Sequence, residues 1–117
     1  MAQPSTVLPL ALAAAIVLAA GPAHTQSFDC ANATAPDEHA VCASPALARL
    51  DDELAAAYAG ARRCAMMGMQ GVLQESEEKF LAARAACGSD ESCLTPLYKK
   101  QIEYLNEQKK EIGQGAC

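Results

Sequence analysis

SPALARLDDELAAAYAGARR, residues 44–63, decides the fold. Ser44 is a helix N-cap residue. Pro45 takes the first helical position, where its missing N–H has no partner to lose. Leu47, Leu50, Leu54, Tyr58 and Ala61 then recur at spacings of three and four. That is an apolar stripe along one face of an α-helix ending near Arg63. Strand signals are nearly absent from the chain. Val, Ile and Thr are few, and apolar and polar residues nowhere alternate over a sustained run.

Working towards the N-terminus, Pro36 to about Cys42 reads as a short helix. Thr34 is placed to cap it, Pro36 suits its first turn, and Asp37 and Glu38 complement the N-terminal dipole. Towards the C-terminus, Cys64-Ala-Met-Met-Gly-Met-Gln-Gly71 carries two glycines and three methionines and reads as a loop or hinge. A third helix is expected from Val72 to about Ala86, with Leu73, Phe80, Ala83 and Cys87 near one face. Glu75, Glu77, Glu78 and Lys79 are expected mostly outside. Gly88-Ser89-Asp90-Glu91 is a turn. A fourth helix is expected from about Ser92 to Ile112, striped by Leu94, Tyr98, Ile102, Leu105 and Ile112, with Lys109 and Lys110 suiting its C-terminal end. Pro96 fits that helix only in the first turn. The fold class is all-α: a small bundle of one short and three longer helices, the last two forming a hairpin.

Val7–Ala20 is an apolar, uncharged run of 14 residues, too short to cross a ~30 Å hydrocarbon core comfortably as a helix. Small residues follow it, with cleavage sites after Ala20 or Ala23, so residues 1–23 read as a secretory signal peptide. Its first six residues lack the usual basic charge. Residues 24–117 then form one domain, with no membrane association after cleavage. A chain this short buries limited apolar surface and needs covalent support. Cys30, Cys42, Cys64, Cys87, Cys93 and Cys117 supply an even number of cysteines, all in this part. In an exported protein they read as a disulfide framework, and the compartment as the periplasm or the exterior. Six cysteines allow 15 pairings. Local ones are favoured: Cys30–Cys42 across the first helix and Cys87–Cys93 across the tight turn, which leaves Cys64–Cys117. No C-x-x-C pair is present to suggest redox catalysis.

The formal net charge is −5, and every charge lies beyond residue 26. An acidic domain is a poor nucleic-acid binder and a better match for a basic partner. Met66, Met67 and Met69 beside Cys64 are soft ligands of the kind that suit Cu(I). The plainer reading is a partly apolar turn that fills gaps between helices. His39 stands beside Glu38 with no nucleophile to serve. Asp51, Asp52 and Glu53 are consecutive, so they fan around their helix and do not converge. Asp51 is placed to cap or to pair with a residue such as Arg84. No catalytic set, metal site or cofactor is indicated, and the protein is not expected to be an enzyme.

Several of these residues occur in an order that resembles the LprI-type lysozyme-inhibitor family. They are Phe28-Asp29-Cys30, Glu38, Val41-Cys42, Leu47–Leu54 (LARLDDEL) and Tyr58. The order continues with Phe80-Leu81-Ala82-Ala83-Arg84, Cys87, Cys93-Leu94, Tyr98, Ile102 and Leu105. The resemblance covers about residues 27–106 and rests mainly on four cysteines with the Leu50-Asp51 pair. Phe80 stands where the family pattern usually has Trp, and Cys64 and Cys117 look like additions to that pattern. It implies a small, exported, helical, cysteine-bridged domain that inhibits lysozyme by binding. It carries no inhibitory motif onto particular residues. A rigid loop could block a muramidase cleft, and Asp29–Asp37, the methionine turn and Gly88–Glu91 are the available loops. The alternative is a periplasmic structural or interaction module with no lysozyme target. A monomer is expected in either case.

Overall fold

The computed structural model describes residues 2–4 and 28–113. The expected signal peptide, residues 2–4 apart, and Cys117 lie outside the described residues. The described chain is all-helical, with no strand among those residues. After a 3-10 turn (Cys30–Asn32) come α1 (Pro36–Ala43), α2 (Pro45–Cys64), α3 (Met67–Cys87) and α4 (Glu91–Gly113).

The helix ends follow from local hydrogen bonding. At the start of α1 the Glu38 carboxylate accepts the Ala35 N–H at 3.1 Å. The cap position is therefore Ala35, not Thr34. Ser44 ends α1, its N–H donating to the Ala40 carbonyl at 3.0 Å. It also begins α2, its Oγ accepting the Leu47 N–H at 3.3 Å. One residue thus makes the α1–α2 corner.

The loop expected over Cys64–Gly71 shrinks to Ala65 and Met66, and α3 starts at Met67. The Gln70 side-chain amide donates to the Ala65 carbonyl at 3.1 Å, and the Gln70 N–H donates to the Met66 carbonyl at 2.9 Å. Methionine is a good helix former, and each glycine costs only about 1 kcal/mol in a helix. Gly68 and Gly71 adopt ordinary negative φ; Gly88 is the only described glycine with positive φ, at 57°. Buried Leu73 ties this first stretch of α3 to the core.

Asp90 sets the start of α4. Its carboxylate accepts the Ser92 N–H at 3.0 Å and the Ser92 hydroxyl at 2.7 Å, and its carbonyl accepts the Leu94 N–H at 2.9 Å. Pro96 therefore lies inside the helix, beyond the expected first turn. The bond it removes would have reached the carbonyl of Ser92, which is exposed and open to water.

Three side-chain contacts define the topology: Asp37 with Arg84, Ser44 with Glu91, and Asp51 with Tyr98. All three join residues 47 apart in sequence. A constant offset means that the two segments run parallel, so α2 and α4 point the same way. Gln101 meets Ser76 and Tyr98 meets Phe80, which makes α3 and α4 an antiparallel hairpin. The core holds Val41 of α1, Leu47, Leu54 and Ala61 of α2, Leu73 and Phe80 of α3, and Leu94, Tyr98 and Leu105 of α4. The Phe80 and Tyr98 rings meet edge to face, with centroids 5.0 Å apart.

Disulfides join Cys30 to Cys42 and Cys87 to Cys93. Cys64 is also disulfide-bonded; its expected pairing with Cys117 involves a residue outside those described. The first bridge ties the 3-10 turn to α1, and the second closes the α3–α4 corner. No helix among the described residues is long and apolar enough to cross a membrane.

Candidate functional site

The period of the helices brings polar side chains inside. On α2, Asp51 falls between Leu47 and Leu54 on the buried stripe. On α3, Arg84 falls four residues after Phe80. On α4, Tyr98 falls four after Leu94. On α1, Asp37 falls four before Val41. These positions at spacings of three and four face the core whatever occupies them. Asp51 and Tyr98 are wholly buried, Asp37 is 2% exposed and Arg84 7%.

Together they form one network with a member from each helix. Arg84 Nε donates to Asp37 Oδ2 at 2.7 Å, and Arg84 Nη1 lies 3.8 Å from Asp51 Oδ1. The Tyr98 hydroxyl donates to Asp51 Oδ1 at 2.8 Å. Burial, reinforced by the Asp51 carboxylate, holds the Tyr98 phenol protonated far above its ordinary range. The Phe28 ring covers the guanidinium, with its centroid 5.1 Å from Arg84 Cζ. The expected partnership of Asp51 with Arg84 is thus the longer of two contacts. The short ion pair goes to Asp37, whose position at the helix N-terminus suits the dipole as well.

A pocket of ≈ 480 Å³ opens beside this network, lined by Phe28, Leu54, Tyr58, Glu77, Leu81 and Arg84. Glu77, expected outside, is half-buried. It receives one long hydrogen bond, from Gln101 Nε2 at 3.5 Å, and burial raises its carboxyl above the usual range. A second groove, of ≈ 450 Å³, runs between α3 and α4 past Ser76, Phe80, Leu97, Gln101 and Tyr104.

The remaining candidates do not come together. His39 is exposed on α1. Met66 and Met67 are 85% and 91% exposed at the α2–α3 corner, while Met69 packs against the core. Among the described residues, no group of three or more His, Cys, Asp or Glu is arranged to hold a metal ion. Asp52 is half-buried and Glu53 exposed, so the acidic run does fan around α2. The Gly88–Glu91 corner is braced by the Cys87–Cys93 bridge and by Glu91, whose carboxylate accepts the Ser44 hydroxyl at 2.8 Å.

No family model matches this chain, and no curated protein or solved structure matches it either.

Proposed function

We propose that the protein is exported to the periplasm or the exterior and there acts by binding, blocking a basic lysozyme-type muramidase. The observation that carries this reading is an acidic chain, net −5, on a scaffold braced by disulfides. Disulfides persist in oxidising compartments. Lysozymes are commonly basic and carry two catalytic carboxylates in a cleft. Net negative charge steers a binder towards such an enzyme, and a pre-ordered corner loses little freedom when it docks. The resemblance to lysozyme inhibitors points the same way. The deciding experiment is a turbidity assay of cell-wall lysis with the purified protein. Lysis should slow as the protein approaches equimolar ratio with the enzyme, and the effect should weaken with added salt. Complete lysis under a large molar excess refutes the reading.

One observation favours a second reading, an envelope interaction module without a lysozyme target. Many of the residues that carry the resemblance, among them Cys30, Val41, Asp51, Arg84, Cys93 and Tyr98, belong to the core, the ion network or the bridges. They account for a shared scaffold and leave the binding surface unspecified. A pull-down from envelope extract separates the two: recovery of a partner that is not a muramidase, with no inhibition of lysis, selects the second.

A further inference from the structure

The pocket beside the ion network has an unusual charge balance. Arg84 is the one cation on its lining, and its charge is already committed to Asp37 at 2.7 Å and Asp51 at 3.8 Å. Its guanidinium is also covered by Phe28. Asp37 and Asp51 lie buried behind the pocket, and the half-buried Glu77 is the one carboxylate on its wall. Glu77 has no short hydrogen bond among the described contacts; the Gln101 amide that reaches it at 3.5 Å is held at 2.9 Å by Ser76. The rest of the lining is apolar, with Leu54 buried and Leu81 41% exposed at the rim.

We infer that this pocket is a receptor for an alkylguanidinium group, the side chain of an arginine on a basic partner protein. The methylene stem lies against Leu54 and Leu81, and the planar head meets the Glu77 carboxylate. A guanidinium is favoured over an ammonium because it is less strongly hydrated and can hold a carboxylate with two parallel N–H donors. A carboxylate ligand would have to sit beside the Glu77 carboxylate and is disfavoured. Nothing in this assignment requires the partner to be a lysozyme, so it stands or falls separately from the reading above.

The test uses n-butylguanidinium as the probe, followed by amide chemical shifts of the purified protein. Binding should be weak and saturable, with shifts concentrated at Tyr58, Glu77 and Leu81. n-Butylammonium should bind less tightly, and n-butanol and butyrate should scarcely register. Glu77→Gln should weaken the guanidinium about tenfold, the loss expected for one charge-assisted contact. Leu81→Arg, at an exposed helical position, should occupy the pocket with its own head group and abolish the response. Shifts spread evenly over acidic surface residues, an unchanged affinity in Glu77→Gln, or n-butanol binding as well as the cation would each overturn the assignment.

Discussion

Replacing Arg84 by Met tests whether the buried network holds the helices together through charge. Methionine keeps an unbranched apolar stem of similar reach beneath Phe28 and removes only the guanidinium. What remains is Asp37, 2% exposed, and Asp51, wholly buried, with no cation between them. Removing one partner of a buried ion pair costs about 3–5 kcal/mol, because the other charge stays desolvated. The lost contact with the Phe28 face adds about 0.5–1 kcal/mol. At roughly 0.1 kcal/mol per residue, a domain of this size has a total stability of about 9 kcal/mol. Arg84→Met should therefore still fold, with close to half of its stability gone and a Tm lower by about 15–45 °C. Denaturant unfolding followed by far-ultraviolet circular dichroism gives the number. Adding Asp37→Asn to the variant gives the cause: a neutral amide needs no counter-charge, so the double variant should be more stable than Arg84→Met alone. A loss under about 1 kcal/mol at neutral pH refutes the account. So does a double variant no more stable than Arg84→Met, since lost packing would then explain the deficit.

Glu77→Gln should stabilise the protein slightly at neutral pH, by under about 1 kcal/mol because the group is only half-buried. The sign follows from the raised carboxyl: ionisation is harder in the folded chain than in the unfolded one, so this group detracts from stability as pH rises through the carboxylate range. The advantage of the variant should fade in acid, and a gain that persists there would point to packing instead. Gly88→Ala should cost about 1–3 kcal/mol by denaturant unfolding, because φ +57° with ψ −132° is a conformation L side chains rarely adopt. No atom lies within 4 Å of the added Cβ, so the cost is purely conformational. An unchanged midpoint would mean that the corner relaxes despite its disulfide.

The helices were readable where periodicity and caps agreed. Ser44-Pro45 marks the α2 start, and the stripes of α2 and α4 run at helical spacing. The methionine segment carries two glycines, which signal a break, yet Gly68 and Gly71 take ordinary helical geometry. Buried polar positions were harder to see. Asp51 sits at a core spacing, but its neighbours Asp52 and Glu53 make the run look solvated. Asp37 looks like an ordinary dipole partner, and only its spacing of four from Val41 marks the face that turns inward. Glu77 was hidden in the same way among Glu75, Glu78 and Lys79. A stripe defined by spacing before residue type would have found all three. Which carboxylate Arg84 would choose was not decidable from spacing, since it depends on how α1 turns at Ser44.

That corner explains why the network has the shape it has. Ser44 stops α1 and starts α2, and its hydroxyl bonds Glu91 at the start of α4. Seven residues before Ser44 stands Asp37, and seven after it stands Asp51; the same steps from Glu91 lead to Arg84 and Tyr98. Seven residues are about two helical turns, roughly 10 Å of rise in a straight helix. The three contacts therefore form a ladder with the Ser44–Glu91 rung in the middle and a buried rung on each side. A shift of α4 by one turn against α2 would separate Tyr98 from Asp51. The same shift would strand that carboxylate in the core, at a cost that apolar stripes alone would not impose, since leucines tolerate sliding far better than a buried ion does. Two of its rungs join α2 and α4, parallel helices with no direct connection, and fix their register; the third joins α1 to α3. The apolar stripes bind the helices together, and the network determines which residues meet.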